Sequence, residues 1–260
     1  MTTLTHRWDL TPAEARLLQT ELAGRVIREG VPDGVEWVAG ADVHYPRKGM
    51  GRAVGVLMRY PAMEPVAVEV IEEPASFPYV PGLLSFREAP AVIKVLSRLP
   101  RRPDLLLVDG QGIAHPRRLG IAAHLGLALD VPAVGCAKSR LCGDSAVPAL
   151  EAGAWTPLMD GSETIGAVLR SRAGVKPLFV SIGHRMDLAG AIQWTMACCR
   201  GYRIPEPLRL AHHVAGGHGS PIAVKSDPHP DPLLEGEGNW RNPHPGPLPE
   251  GEGKEIVCKN

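Results

Sequence analysis

The chain has 260 residues, 44% hydrophobic and 22% charged, with 28 basic and 28 acidic side chains and so no formal net charge. This composition suits a folded chain with a core of its own and gives no support to a sequence-blind polyanion binder acting through bulk charge. Five cysteines, odd in number and without CxxC spacing, argue against a disulfide framework or zinc cluster, and no apolar run approaches the roughly 18 residues of a membrane helix, so a reducing, cytoplasmic setting is expected.

The first predicted element is a helix. Thr11 supplies an N-cap, Pro12 the first helical position and Glu14 the capping-box partner, and Ala15, Leu18, Leu22 and Val26 then recur at helical spacing as far as Gly30. Three strand-like runs follow, Val35 to Tyr45, Gly51 to Tyr60 and Val66 to Pro74, joined by short turns as an antiparallel meander. Asp42 lies within the first of them. The segment FPYVPG, Phe77 to Gly82, has two prolines in five residues and cannot be regular structure.

Leu83 to Pro100 carries a helical pattern interrupted by Pro90, and a start at Ser85 or Arg87 would put Glu88 in the first turn, where the helix dipole accounts for an acid. Asp104 to Gly112, DLLLVDGQG, reads as a buried strand that carries Asp109 to its C-terminal edge. A helix over Pro116 to Asp130 and a strand over Val131 to Ser139 complete a βαβ unit, which places a parallel pair beside the meander. Residues 142 to 160 are expected to be irregular, Thr164 to Ser171 and Pro177 to His184 a hairpin pair, and Leu188 to Gly201 a helix capped by Asp187. A short helix in LRLAHHVAGG carries His212 and His213.

After Gly219 the character changes. DPHPDPLLEGEGN and NPHPGPLPEGEGK are near-copies at a fifteen-residue offset, with too few units and too few core residues for a solenoid. The expected division is a catalytic domain over residues 1–219 and a disordered tail over 220–260. The tail is acidic and the body slightly basic: residues 221–260 contain four Lys/Arg and seven Asp/Glu, leaving 24 against 21 in the body.

Asp42, Glu88 and Asp109 are distant in sequence, but a central meander strand can lie beside the strand leading to Asp109. A group of carboxylates without cationic partners is costly unless metal ions neutralise it, and oxygen ligands suit Mg²⁺, with Mn²⁺ as a substitute. Two such ions can clamp the attacking and leaving oxygens of a phosphodiester. The order of elements, a three-stranded meander, a helix and then parallel strands with crossing helices, matches an α/β ribonuclease H-like mixed sheet flanked by helices, an analogy that by itself fixes no function.

Several blocks then carry a resemblance: GADVHY around Asp42, PYVPGLLSFREAP around Glu88, LLLVDGQGIAHPRRLGIAAHLG around Asp109, VGCAKSRL, and VSIGHRMDLAGAI. Together, over about residues 5 to 217, they closely resemble the endonuclease V family, enzymes that nick DNA near deoxyinosine. The resemblance implies that Asp42, Glu88 and Asp109 bind metal, that His213 rather than its neighbour His212 stands near the second ion or attacking water, and that Lys138 places a charge on the phosphoryl oxygens. Tyr79, Val80, Pro81 and Gly82 match the family's DNA wedge, with Val80 in place of the more usual isoleucine.

Gly82, Leu84, Gly110, Gly112 and Ile121 match positions that line the family's base pocket. His115, Arg117 and Arg118 are candidates for backbone phosphate contacts. Ser181 to His184 stands at a strand end where it can support the site, and Cys136 and Cys142, which flank Lys138, are expected to be buried thiols. The activity implied is Mg²⁺-dependent hydrolysis of the second phosphodiester on the 3′ side of deoxyinosine, leaving a 3′-hydroxyl and a 5′-phosphate. The partner is deoxyinosine-containing DNA, the acting form a monomer, and the rivals are an inosine-specific ribonuclease and a non-catalytic lesion-binding protein.

Overall fold

The computed structural model describes residues 6–226, and the repeat falls outside the described residues. The chain begins with α1 (Pro12–Ala23), then the meander β1 (Trp37–Arg47), β2 (Met50–Arg59) and β3 (Glu64–Pro74), α2 (Leu84–Leu96), β4 (Leu105–Val108), α3 (Ile121–Leu129) and β5 (Ala133–Ala137). There follow β6 (Trp155–Asp160), β7 (Glu163–Leu169), β8 (Leu178–His184), α4 (Leu188–Ala197), α5 (Glu206–Ala215) and β9 (Val224–Ser226). One nine-stranded sheet runs β6-β7-β8-β5-β4-β1-β2-β3-β9. Its middle, β3-β2-β1-β4-β5, has the antiparallel meander and parallel pairs of the ribonuclease H-like fold, as expected.

Alternation along the central strands divides the apolar residues between two faces. Val38, Val54, Val56, Leu105 and Leu107 pack with Leu208 and Ala211 of α5 on one side. On the other, Ala39, Ala41, Leu57, Leu106 and Val108 pack with Ala89 and Val92 of α2 and Ala122 and Leu125 of α3. Gly40 determines how α5 sits. A Cβ there would lie 2.4 Å from the backbone of Pro207, so only glycine admits the start of α5 against β1.

Several elements differ from expectation, among them α1, which ends at Ala23 rather than Gly30, and α3, which begins at Ile121 rather than Pro116. α2 starts at Leu84, so Glu88 lies beyond its first turn and the helix dipole does not explain it. Trp155–Asp160, expected to be irregular, is the outermost strand, where Pro157 is tolerated because an edge strand need not use every donor. The boundary at Gly219 is too early, since Val224–Ser226 pair in parallel with Val68–Val70 and extend the sheet past β3. Among the described residues no helix is long and apolar enough to cross a membrane.

Candidate active site and base cavity

Register brings the two strand acids together. β1 and β4 run parallel with Ala41 opposite Val108, and the next residue on each strand is Asp42 and Asp109. Both therefore emerge at the same end of the sheet, beyond the last apolar pair. Asp42, Asp109 and His212 each place a ligand atom within 4.8 Å of the others. His212 Nδ1 lies 2.7 Å from Asp42 Oδ2, and because a carboxylate only accepts, this nitrogen carries the proton. Val43 N–H donates to the other oxygen, Asp42 Oδ1, at 2.9 Å.

The helix register corrects the assignment of the histidine. Both histidines are exposed, but His212 faces Asp42 whereas His213 stacks on His218, with ring centroids 4.7 Å apart. Leu208 and Ala211, buried against the sheet, fix the phase of α5 and leave the intervening direction to His212.

Lys138, just after β5, places Nζ 2.5 Å from Asp109 Oδ2 and 3.5 Å from His212 Nδ1. Burial pushes the Asp109 carboxyl above its ordinary range, with Lys138 opposing and the charge of Asp42 adding to the shift. Glu88 is raised to about 8, first by burial and then by the negative charge of Asp42, with Asp109 adding to it. Tyr45 is pushed up to about 12, first by burial and then by the negative charge of Glu88. Asp42 and Asp109 held this close, with Glu88 near enough for their charge to raise it, fit a site built for divalent cations, and the oxygen-rich donor set suits Mg²⁺ or Mn²⁺.

Beside the acids is a cavity of about 450 Å³, and Asp109 and Lys138 form part of its wall. Tyr79, Val80, Pro81, Gly82, Leu84, Gly110 and Ile121 also line it, so the structure brings the wedge and four of the five expected pocket residues together. Tyr79 is 73% exposed at the rim, while Val80 packs on the buried cluster of Ala15, Phe77, Leu83 and Phe86. The fifth residue, Gly112, is not on the wall. A Cβ there would be 1.9 Å from Ile182 O, so its role is to let the turn after β4 lie on β8. Ser181 Oγ accepts from Gly112 N–H at 2.8 Å, which gives the SIGH segment its supporting place behind that turn.

The three basic candidates for phosphate are largely committed elsewhere. His115 is buried, with Nε2 3.0 Å from Gly82 O and Nδ1 accepting from Arg117 N–H at 3.1 Å. Burial and the neighbouring arginine hold its pKa down at about 4, so it is a neutral brace with no free nitrogen for an anion. Arg118 pairs with Asp160 at 2.7 Å and Glu163 at 2.8 Å, which ties it to the β6–β7 hairpin. Arg117 donates to Gln19 Oε1 at 2.6 Å and Gly82 O at 2.9 Å, bracing the wedge loop. Cys136 is buried and Cys142 partly so, both without a disulfide.

Sequence reasoning passed over two glutamines. Gln19, on the helix expected to be scaffold alone, donates to Gly82 O at 3.1 Å and Leu119 O at 2.6 Å, clamping the wedge loop to the turn before α3. Gln111 lines the cavity, donates to Ser139 O at 2.9 Å, and leaves Oε1 buried without a partner. Gln19, a polar residue on the apolar face of its helix, offered a signal, and Gln111, within the DGQG turn, offered none.

Known proteins resemble this chain over most of its length. The family model described as Endonuclease V matches residues 20–213. An endonuclease V from Dehalococcoides mccartyi is 53% identical over 211 residues, covering 81% of this chain and 95% of its own length. The crystal structure of endonuclease V from Streptomyces avermitilis superposes with a TM-score of 0.77 at 41% identity, covering 84% of this chain and 97% of its own. That of Ciona intestinalis endonuclease V, in complex with a 24mer DNA containing an inosine followed by a ribo-adenosine, gives 0.68 at 27% identity, covering 79% and 96%. With the family model and the relatives matching most of its length, the chain belongs to the endonuclease V family.

Proposed function

We propose that this nuclease is a DNA repair enzyme that recognises deoxyinosine and hydrolyses the second phosphodiester on its 3′ side, leaving a 3′-hydroxyl and a 5′-phosphate. The observation that carries the reading is that Asp109 belongs both to the acid cluster and to the cavity wall. A base drawn into the cavity would hold its own strand against the acids. The Ciona protein's complex with inosine-containing DNA supports the choice of base, and the cut position and products follow from the family resemblance of the sequence blocks.

Asp42, Glu88, Asp109 and His212 would hold the metal, Mg²⁺ or in its place Mn²⁺, which when bound as a pair would polarise the phosphodiester and neutralise the charge developing on its oxygens. The chain's own contributions are separable. Lys138 stands beside Asp109 as a second positive charge for the phosphoryl group. Tyr79 would fill the gap left in the stack by a displaced base, and the braces on Gly82 O hold the loop that carries it. His212, with Nδ1–H directed at Asp42, keeps that carboxylate oriented. The enzyme is taken to act as a cytoplasmic monomer, and its four unpaired thiols among the described residues suit a reducing compartment.

One rival has a specific observation behind it: the ribo-adenosine after the inosine in the Ciona complex is compatible with an inosine-specific ribonuclease. Competition between DNA and RNA oligonucleotides of one sequence, each with a single inosine, separates the two. Preferred cutting of the DNA supports the proposal, and preferred cutting of the RNA overturns it.

A further inference from the structure

Behind the cavity a chain of hydrogen bonds runs from the N-terminal segment to the cavity wall. His6 Nδ1 is 2.7 Å from the carbonyl oxygen of Arg7, His6 Nε2 is 2.8 Å from His124 Nε2, and His124 Nδ1 is 3.1 Å from Ser85 Oγ. In the neutral form of His6 the direction of every proton in the chain follows from this first member. A carbonyl oxygen only accepts, so His6 Nδ1 carries hydrogen, and in the neutral imidazole Nε2 is then a lone pair. Of two nitrogens in contact one must donate, so His124 Nε2 carries hydrogen and His124 Nδ1 is a lone pair. Ser85 must therefore donate its hydroxyl proton to His124.

The surroundings keep His124 neutral. His124 is fully buried, with Trp8 stacked on it at 4.9 Å between centroids and Phe86 edge-on at 5.1 Å. That burial holds its pKa down at about 3, so the ring stays neutral. Ser85 is 2% exposed and lines the cavity, on the second residue of α2 and one turn before Glu88. With its proton committed inward, the hydroxyl can offer the cavity only a lone pair.

We infer that Ser85 is a specificity-determining residue that reads the Watson–Crick edge of the captured base, accepting a hydrogen bond from a purine that carries N1–H. The inference rests on the reading of this cavity as the base pocket. Hypoxanthine, with a 6-oxo group, presents N1–H. Adenine presents a lone pair at N1, which would face the lone pair of Ser85 and leave both unsatisfied. His124 and His6 are positioning residues: they act by fixing which partner Ser85 can accept. The same edge is shared by other 6-oxopurines, so the contact separates hypoxanthine from adenine and leaves the 2-position to other groups.

The test is equilibrium competition binding of the full-length protein, without added metal, to duplexes that differ in one nucleotide. The probes are deoxyinosine, deoxyadenosine and deoxynebularine, a purine with a bare N1 lone pair and no 6-substituent. The wild type is expected to prefer deoxyinosine to deoxynebularine by about tenfold, the size of one net hydrogen bond. Ser85→Ala, which removes a single atom, is expected to bring that ratio close to one while deoxynebularine affinity is unchanged. His124→Phe keeps the hydroxyl but frees its proton and is expected to lower the ratio as well. Should that variant fail to fold, Ser85→Ala decides alone.

The inference is overturned if Ser85→Ala weakens both duplexes equally, if it changes neither, or if the ratio instead collapses in Gln111→Met, which would assign N1–H to the unpaired Gln111 Oε1. A wild type without preference for deoxyinosine over deoxyadenosine would instead remove the base-pocket reading beneath it.

Discussion

His212 Nδ1 lies 2.7 Å from Asp42 Oδ2 across 170 residues of chain, joining the last long helix to the first strand of the sheet. The contact exists because Gly40, two residues before Asp42 on the same face of β1, lets Pro207 at the start of α5 approach without a side chain between them. A bulkier residue at position 40 would lift α5 and withdraw the histidine. The relationship predicts unequal consequences for two adjacent histidines. His212→Ala is expected to lower nicking by about 10–100-fold, as the loss of a group that ligates or orients a metal ligand does. His213→Ala, changing an exposed ring, is expected to stay within about twofold. Steady-state kcat for the two variants checks this, and the opposite ranking would refute the helix phase.

A second prediction concerns pH. Glu88 is raised to about 8 in the folded chain, from an ordinary value near 4.5. Between those values the folded state holds a proton that the unfolded state has released, so stability from this group is present below about pH 4.5 and is lost as pH rises through 8. The metal-free protein should therefore melt lower as pH is raised from 6 to 8.5, and Glu88→Gln should flatten that slope. The expected change is a few degrees, at about 2–4 °C per kcal/mol for a domain of this size. Calorimetry of both proteins in a chelator, across that range, reads the effect. Identical slopes would mean that Glu88 ionises normally.

Tyr79 is the third case. At 73% exposure it contributes little to the core, so Tyr79→Ala should leave the melting temperature unchanged. Base–aromatic stacking is worth about 1–3 kcal/mol. The variant should therefore bind a deoxyinosine duplex roughly tenfold more weakly, seen as a raised KM. A normal KM with a lowered melting temperature would make it a structural tyrosine.

The boundary of the catalytic unit gives a fourth. A chain ended after Ser226 keeps β9 and should retain full activity and stability. One ended after Gly219 uncovers the edge of β3 at Val68–Val70, and an unpaired edge invites association with another chain. The shorter protein is expected to melt a few degrees lower and to aggregate sooner on heating, with nicking at low temperature preserved. Equal melting and equal solubility of the two would show that β9 contributes nothing.

Much of this architecture was legible because strong periodicities carry it. The meander, the βαβ unit and the position of Asp109 at a strand end all follow from alternation and turn residues, and the resemblance blocks point to the same acids. Features decided by tertiary packing were less legible. Two adjacent histidines cannot be separated until Leu208 and Ala211 are known to face the sheet. Nothing local marks Gly112 as a packing glycine rather than a pocket residue, since Ile182 reaches it from 70 residues away. Arg118 looked free for phosphate because its partners, Asp160 and Glu163, flank a hairpin whose first strand has a proline in it. Ser85 and His124 are unremarkable residues in two separate helices, and only their contact gives them a role.

The most direct test of the whole account is nicking of a duplex with one deoxyinosine by the wild type and by Asp109→Ala, with Mg²⁺ and with chelator. Asp109 is the one residue shared by the acid cluster and the cavity, so its loss should remove cutting at any Mg²⁺ concentration while the protein remains folded. The account predicts a single nick, at the second phosphodiester 3′ to the lesion, from the wild type with Mg²⁺ and from no other combination. Equal cutting by Asp109→Ala, or cutting of plain duplex in preference to the deoxyinosine duplex, would contradict it.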